Sequence, residues 1–290
     1  MIIGLTIGAA VVAPLLLLIW SIGARAQQPR KLANVVEPDG PFTSIVFGSK
    51  GSIIQGWLIF PASDIVRPPL VVIAHGWGSN RSRVLRYSQP LLEAGFAVLL
   101  YDARSHGDSG TIKAPSALMF RDDIEAAVTA ARSLPGIDPE RIAVLGHSLG
   151  GFGTLLALAR GLPVKAVITD SMPAKFETML KAELKRKKLP FFPLGYLIPP
   201  IWLLRSGITP SEYRAAQIPF ALEANEAGAR VPVLMIHANE DSFIPADDLR
   251  ALARERHIDT LFVNGNGHSM SEQDPAFWRR VIPFLNEHLL

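Results

Sequence analysis

A single serine stands at the centre of the pattern Gly146-His147-Ser148-Leu149-Gly150. The pattern follows an apolar run, 142–145, and precedes a helix-like stretch, 151–159, so the order is strand, sharp turn and helix. Glycines are needed at the two ends because a side chain there would collide with the neighbouring strand or helix, and the serine is forced into a strained backbone that exposes its hydroxyl. The pattern therefore predicts Ser148 as a nucleophile, with the Leu149 amide at a helix N-terminus able to donate to a developing oxyanion.

A nucleophilic serine needs a base, and the base needs an acid partner that fixes its tautomer and stabilises its cation. Asp241 lies in a polar loop after the apolar run 233–236, and the glycine-flanked His268 follows the apolar run 261–263. Open α/β sheets place their sites at the carboxyl ends of strands. We therefore predict His268 as the base and Asp241 as the acid.

The acid position has competitors. Glu240 is the neighbour of Asp241, and Asp247 and Asp248 are better explained as first-turn charges that favour the dipole of the following helix. Asp170 is the main rival, because it ends the strand that follows the Ser148 helix. This alternative stays open in the sequence.

A second oxyanion donor is expected in the glycine-bearing loop 75–78, whose sequence is His-Gly-Trp-Gly. Glycines let a backbone approach a substrate closely, so the Trp77 amide is the predicted partner of the Leu149 amide. His75 is expected to pack against this loop and hydrogen-bond to it rather than act as a base. The polar run 102–110 is interpreted as a rigid structural turn, with a metal site made of its side chains as the less favoured alternative: Asp102, His106 and Asp108.

The elements that must position these residues alternate along the chain. Two β-rich runs come first, joined by a turn at 48–51, and continuous apolar strands then alternate with helices. Strands that are apolar on both faces and alternate with helices indicate a parallel sheet covered on both sides, so an α/β fold with an antiparallel pair at its start is predicted. The predicted strands are 43–47, 53–60, 70–74, 96–101, 141–145, 164–169, 231–236 and 260–263, and the predicted helices are 83–94, 116–134, 151–159, 246–256 and 275–288.

One segment, 173–226, is far too long for a simple crossover between two strands, and we interpret it as a cap insertion. It carries a basic stretch, 181–188, followed by an apolar, proline-rich stretch, 191–204. Such a cap suits a lid over a lipophilic acyl chain or a surface that rests on anionic lipid. A solvated basic helix beside a proline-rich packing segment is the plainer alternative.

The N-terminus carries no charged residue from position 2 to position 22. About 20 such residues cross a bilayer core, so residues 1–24 are predicted to be a membrane anchor and 25–40 a linker. The basic residues just beyond the span favour a cytoplasmic catalytic domain. A secretory signal peptide cleaved at Ala24-Arg25-Ala26 would instead export that domain, although no basic residue precedes the span, and a buried core helix is a third alternative.

Composition narrows the chemistry further. The chain has 290 residues, a formal net charge of +3 and no cysteine, which excludes disulfides, a thiol nucleophile and cysteine-ligated metals. The sequence has no basic stripe interleaved with stacking aromatic residues, so nothing in it suggests nucleic-acid binding. We expect one catalytic domain, 41–290, with no metal or cofactor; the oligomeric state is left open.

These motifs together resemble the α/β-hydrolase superfamily, especially serine hydrolases near the serine aminopeptidases, monoacylglycerol lipases and prolyl-oligopeptidase catalytic domains. The resemblance covers about residues 41–290. It implies an α/β-hydrolase fold with the acid and then the histidine following the serine, so that Ser148, Asp241 and His268 form a catalytic triad and the Trp77 and Leu149 amides form the oxyanion hole. Members with an aspartate nucleophile are excluded because Ser148 occupies that position.

The function expected from this reading is a membrane-anchored serine esterase that takes a small or lipophilic acyl ester as its substrate. The basic cap argues against a peptidase that must hold a free ammonium. A serine peptidase or an acyltransferase of the same fold remains an alternative. From another class, a catalytically silent, membrane-bound interaction module is the second alternative.

Overall fold

The structure, a computed structural model, describes residues 2–62 and 65–290, with side chains from residue 13 onward. Within this part of the chain, eight strands form one sheet in the order β1-β2-β4-β3-β5-β6-β7-β8. The strands are β1 (Phe42–Ser49), β2 (Ser52–Ile59), β3 (Leu70–Ala74), β4 (Ala97–Tyr101), β5 (Ile142–His147), β6 (Ala166–Asp170), β7 (Val233–Ala238) and β8 (Asp259–Val263).

The first two strands form an antiparallel hairpin, and β2 also runs antiparallel to β4. All other neighbouring strands are parallel. The prediction of a mostly parallel sheet with an antiparallel pair at its start is therefore confirmed. Because the parallel strands point the same way, the loops after β3, β4, β5, β7 and β8 leave from one edge of the sheet.

Ten helices accompany the sheet in the described part of the chain. They are α1 (Ile2–Ala26), α2 (Ser88–Glu93), α3 (Ala117–Ala131), α4 (Leu149–Leu158), α5 (Phe176–Arg186), α6 (Leu194–Ser206), α7 (Pro210–Ala215), α8 (Ile218–Ala227), α9 (Asp247–Glu255) and α10 (Pro275–Leu289). The segment predicted as one helix over 83–94 is instead a 3-10 turn, Ser82–Tyr87, followed by α2. Pro90 explains the break, because proline has no amide hydrogen and fits an α-helix only within the first turn.

The apolar strands are buried on both faces. Val72 and Ala74 of β3 contribute to the core under α3, α4, α8 and α9, whereas Val71 and Ile73 contribute to the core under α2 and α10. This alternation explains why the strands are continuous apolar runs in the sequence.

The long segment between β6 and β7 divides into two parts. Helices α5, α6 and α7 form what we call the cap, whose small core is made by Leu180, Leu184 and Ile198. Helix α8 differs, because its residues Ile218 and Leu222 belong to the main core beside α4. Helix α8, the C-terminal part of this segment, therefore completes the layer of helices on this face of the sheet.

The end of α1 packs against the cap. The Trp202 indole donates to the Gly23 carbonyl at 2.8 Å, and the buried Gln27 amide donates to Ser206 Oγ at 2.7 Å. Beyond α1, the segment predicted as a linker lies along the α/β domain, where Lys31 Nζ donates to the Ser109 carbonyl at 3.0 Å.

Half of the predicted anchor, residues 1–12, lies outside the residues whose side chains are described. Within the described part, no helix has the length and apolar character needed for a membrane crossing.

Close packing of α3 on α4 yields a stability prediction at Gly153. A Cβ at this position would lie 2.6 Å from the Phe120 backbone carbonyl carbon. Gly153→Ala should therefore lower the free energy of unfolding by about 1–3 kcal/mol, because overpacking against backbone outweighs the better helix propensity of alanine. Gly40→Ala, where a Cβ meets open space, is the matched control. Urea unfolding checks both variants, and a Gly153→Ala protein as stable as the control would contradict the packing argument.

Candidate active site

Ser148 sits at the turn between β5 and α4 with a strained backbone, φ 53° and ψ −124°. Its amide donates to the Asp170 carbonyl at 2.8 Å, which fixes the turn against β6. A Cβ at Gly146 would lie 2.5 Å from the Gly151 Cα, and a Cβ at Gly150 would lie 2.3 Å from the Ala74 carbonyl oxygen. Both outer glycines are thus required by contact, as the sequence pattern predicts.

The structure brings Ser148, His268 and Asp241 into one chain of hydrogen bonds. His268 Nε2 lies 3.0 Å from Ser148 Oγ, and His268 Nδ1 lies 2.7 Å from Asp241 Oδ2. Since a carboxylate only accepts, Nδ1 carries the proton and Nε2 is free to accept one from the serine hydroxyl. This is the tautomer that a general base requires.

Several donors hold the Asp241 carboxylate. The Phe243 and Ile244 amides donate to Oδ1 at 2.9 and 2.8 Å, and the His237 ring lies 3.5 Å from Oδ2. Burial opposes ionisation of this carboxyl, but the hydrogen bonds from His237 and His268 outweigh burial and hold its pKa well below the usual range. Asp241 is therefore an anion at any pH near neutrality.

The loop that carries His268 owes its path to two glycines. Gly267 has φ +125°, a conformation that side chains rarely adopt, and a Cβ at Gly265 would lie 3.1 Å from the Ala238 Cβ. The rings of Phe243 and His147 flank His268, each with its centroid 5.0 Å away. Packing from both sides holds the imidazole where it faces the serine.

Asp170, the rival acid, is fully buried and bonds to other residues near the serine turn. Tyr87 donates its hydroxyl to Asp170 Oδ2 at 2.5 Å, and Ser171 Oγ donates to Oδ1 at 3.2 Å. Although burial disfavours the anion, hydrogen bonds from His147 and Tyr87 lower the pKa of Asp170 to about 2. Among the described hydrogen bonds, His268 has Asp241 as its carboxylate partner.

The other competing acids face elsewhere. Glu240 is exposed. On α9, Asp247 pairs with Arg250 at 3.0 Å and Asp248 accepts a hydrogen bond from Thr178. Both lie in the first turn of α9, which agrees with the favourable interaction with the helix dipole that the sequence suggests.

The loop after β3 is held by two buried histidines. His75 Nε2 accepts from the Ala103 amide at 2.9 Å and its Nδ1 lies 2.8 Å from the Gly76 carbonyl, whereas His106 Nε2 accepts from the Gly78 amide at 3.0 Å. A Cβ at Gly76 would lie 2.7 Å from the Ser148 Cβ, so glycine lets this loop reach the serine. Trp77 and Leu149 both border the cavity beside Ser148.

The polar run after β4 forms a buried ionic turn. Arg81 donates to Asp102 at 2.5 Å and to Asp108 at 2.6 Å, and Arg104 donates to the buried Asp123 at 2.6 Å. Burial lowers the pKa of His106 to about 3, which keeps its ring neutral. No metal-binding cluster of histidines and carboxylates occurs among the residues described.

His147 is a residue whose role the sequence pattern does not reveal. Its ring is buried beside the serine turn, with Nδ1 3.4 Å from Asp170 Oδ2 and Nε2 3.3 Å from Ser269 Oγ. Burial is the main cause that lowers its pKa to about 4, despite the nearby Asp170 anion. A neutral His147 thus links the loop of His268 to the end of β6.

A cavity of about 380 Å³ opens beside Ser148 and His268. Its walls are largely apolar and include Phe152 of α4, Met179 and Trp202 of the cap, and Leu32 of the N-terminal segment. The residues after α1 are therefore part of the site, which no local sequence pattern indicates.

Comparison with known proteins agrees with this architecture. The model of the alpha/beta hydrolase family matches residues 71–281, and this chain belongs to that family. The uncharacterised protein YfhR of Escherichia coli K12 is 29% identical over 223 residues, which cover 73% of this chain and 68% of YfhR. The quorum-quenching protein AidA of Acinetobacter baumannii is 32% identical over 146 residues, 49% of this chain and 46% of AidA.

Solved structures share the fold. An esterase of Pyrococcus furiosus superposes with a TM-score of 0.68 at 20% identity, covering 91% of this chain and 100% of that one. Est1E of Butyrivibrio proteoclasticus superposes with a TM-score of 0.63 at 19% identity, covering 84% of this chain and 98% of its own. At these identities the similarity establishes the common fold.

The buried His147 leads to a pH prediction. Its pKa is about 4 when folded and near 6.5 when unfolded, so between these values the unfolded chain binds a proton that the folded chain does not. Stability should therefore rise from pH 4 to 6.5 and be lost as the pH falls through this window. His147→Gln should reduce the slope by up to one proton, about 1.4 kcal/mol per pH unit.

Urea unfolding at several pH values measures this slope. His257→Gln, which removes an exposed imidazole, is the matched control and should keep the wild-type slope. An unchanged slope in the His147→Gln protein would show that this ring is not neutralised by folding.

Proposed function

We propose that this protein is a serine hydrolase that cleaves carboxylic esters through an acyl-enzyme. The proposal rests on one observation, the hydrogen-bonded chain from Ser148 Oγ through His268 to the buried Asp241 anion. Membership of the alpha/beta hydrolase family and the esterase among its structural neighbours support it. Ser148 is the nucleophile, His268 the base and Asp241 the acid.

In the first half-reaction, Ser148 Oγ attacks the ester carbonyl carbon while its proton moves to His268 Nε2. The imidazolium so formed is stabilised by the Asp241 carboxylate and then gives its proton to the departing alcohol. In the second half, His268 takes a proton from water, hydroxide adds to the acyl carbon, and the acid is released as Ser148 regains its proton.

The tetrahedral oxyanion needs donors on the side of the serine away from His268. We assign this role to the Trp77 and Leu149 amides, both of which border the cavity at Ser148. The Leu149 amide opens α4, so the positive end of the helix dipole faces the developing charge. Among the described hydrogen bonds outside regular elements, neither amide is a donor, which leaves both free for substrate.

The apolar cavity favours esters over peptides as substrates. Its walls bury acyl chains readily, whereas a peptide would need polar partners for its backbone. Peptide hydrolysis and acyl transfer to another acceptor use the same triad and remain the alternatives within this class. A silent interaction module is the alternative from another class, and absence of turnover by folded protein across esters of many lengths would favour it.

Substitution of the nucleophile provides the first functional test. Ser148→Ala should abolish labelling by a fluorophosphonate probe and lower ester hydrolysis by at least about 10⁴-fold, because no other group there forms the acyl-enzyme. Ser116→Ala removes a hydroxyl from the same cavity and is the matched control. Hydrolysis that survives in the Ser148→Ala protein would refute the assignment.

Substitution of the acid distinguishes Asp241 from other aspartates. Asp241→Asn should lower kcat by about 10⁴-fold through loss of the correct imidazole tautomer. Asp247→Asn, an exposed aspartate on the nearby α9, should keep wild-type kcat. Circular dichroism verifies that each variant is folded, and a small effect of Asp241→Asn would return Asp170 to consideration.

We also propose that the chain is attached to a membrane through residues 1–24. Within the described part of α1, the leucines at 15–18 are 54–66% exposed, which is a costly arrangement in water. Helix α6 continues this apolar surface, because it is apolar around its circumference and its residues Tyr196 and Leu204 are exposed, as is Phe192 just before it. Lipid would cover both surfaces.

Helix α6 runs beside α1 in the same direction. Trp202 bonds to Gly23, and four residues further along both segments Ser206 bonds to Gln27, the residue just after α1. The start of α6 therefore lies toward the apolar part of α1. Basic residues follow the apolar run of α1 and lie at the nearby end of α5, which favours anionic lipid and a cytoplasmic catalytic domain: Arg25, Lys185 and Lys188.

The absence of cysteine allows a direct test of this surface. Single variants Phe192→Cys and Leu204→Cys, labelled with an environment-sensitive fluorophore, should show blue-shifted emission and quenching by doxyl lipid in anionic vesicles. Val46→Cys on β1, also exposed, is the matched control and should stay aqueous. Aqueous emission from residues 192 and 204 would refute lipid contact by α6.

Topology has its own measurement. A reporter fused to the C-terminus distinguishes a cytoplasmic domain from an exported one, and N-terminal sequencing of the purified protein detects cleavage after Ala26. Export of the reporter would overturn the proposed orientation.

A further inference from the structure

The cavity beside Ser148 carries an excess of positive charge at its border. Among the described lining residues, four are arginines, whereas Glu183 is the one carboxylate: Arg30, Arg83, Arg86 and Arg186. Glu183 is neutralised by Arg186, which donates two hydrogen bonds to it at 2.7 and 2.8 Å. Arg86 is engaged as well, because it lies 3.3 Å from Glu272 and donates to the Tyr87 hydroxyl. Two arginines remain.

Arg30 and Arg83 are exposed at the cavity, and the described ion pairs include neither of them. Ion pairing within the described part of the protein therefore does not explain why these two guanidinium groups lie at an apolar cavity. In such a position they raise the local concentration of anions and attract a negative group on the ligand.

One buried side chain joins the two segments of the chain that carry these arginines. Asn80 is only 1% exposed; its Oδ1 accepts from the Arg83 amide at 3.1 Å, and its Nδ2 donates to the Leu32 and Ala33 carbonyls at 3.1 and 2.9 Å. Arg30 is two residues before Leu32. The N-terminal segment and the turn after β3 are thus joined at a point close to both arginines in the chain.

A second contact secures the same junction. Ser82 Oγ donates to the Val36 carbonyl at 2.8 Å and accepts from the Val36 amide at 2.9 Å. The Ser82 amide in turn donates to Asn34 Oδ1 at 3.2 Å. Five hydrogen bonds from two side chains and one amide therefore hold residues 32–36 against the turn that leads to Arg83.

We propose that Arg30 and Arg83 bind an anionic group of the substrate, so that the preferred substrates are esters with an apolar middle and a carboxylate or phosphate remote from the scissile bond. This inference rests on the proposed esterase function. Guanidinium binds carboxylate and phosphate with two parallel hydrogen bonds, which suits it to this selection. The apolar residues that line the same cavity as Ser148 and the two arginines would hold the intervening chain.

Two esters of equal chain length test this selection. The full-length protein should show a lower KM for p-nitrophenyl hydrogen adipate, which ends in a carboxylate, than for neutral p-nitrophenyl hexanoate. Each arginine at an exposed position contributes about two- to fivefold, so the KM ratio between the esters should change about four- to twenty-fivefold in the Arg30→Gln, Arg83→Gln double variant. Added salt should reduce the wild-type preference in the same direction.

The control variant is Arg279→Gln, which removes an exposed charge on α10 away from the cavity and should keep the wild-type ratio. A phosphate-terminated ester of the same length distinguishes the two anions. If the wild type hydrolyses both esters through Ser148 with equal KM, or if the double variant keeps the wild-type ratio, the anion site is refuted while the esterase function stands.

Binding without turnover separates the two proposals completely. In the Ser148→Ala protein, the fluorescence of Trp77 and Trp202, which border the cavity, should report hexyl phosphate at lower concentration than hexanol. The preference should disappear when Arg30→Gln and Arg83→Gln are added. Equal binding of hexyl phosphate with and without the two arginines would overturn the inference even if no ester is hydrolysed.

Discussion

The backbone conformation of Ser148 is the constraint on which the rest of the site depends. A residue with φ 53° and ψ −124° costs on the order of 1–3 kcal/mol and persists only where its surroundings over-determine it. Three contacts hold it here. Strand β3 packs against Gly150, α4 packs against Gly146, and the Ser148 amide donates a hydrogen bond to the Asp170 carbonyl. The position of the hydroxyl is therefore a consequence of how closely the sheet and α4 pack.

Burial divides the histidines around that serine into two kinds. His75, His106 and His147 are almost wholly buried, burial lowers the pKa of each, and their neutral rings act as rigid links between loops. His268 has a different setting, because its side chain is 19% exposed to the cavity and faces the buried anion of Asp241. The same side chain is thus structural in one environment and suited to proton transfer in the other.

The sequence predicts the location of those parts of the site that are set by local sequence pattern and by the order of the strands. The turn at Ser148, the loop of His268 and the acid Asp241 all follow apolar strands, and parallel strands bring their ends to one edge. The junction at Asn80 has no such pattern, because its partners lie 47 and 48 residues away in an irregular segment. Likewise, the apolar residues of α8 cannot be told from those of the cap until their partners in the core are known.

The N-terminal segment has two structural roles that the sequence does not connect. It carries the chain away from α1, and it also forms a wall of the cavity through Gln27, Arg30 and Leu32. Because Gln27 is bonded to Trp202 and Ser206 of the cap, the position of α1 and the shape of the cavity are mechanically linked. A truncated domain that began after this segment would keep the serine, histidine and aspartate but lose one wall and one arginine. The shape of the cavity therefore depends on the N-terminal segment, whereas the positions of Ser148, His268 and Asp241 depend on the sheet and its loops.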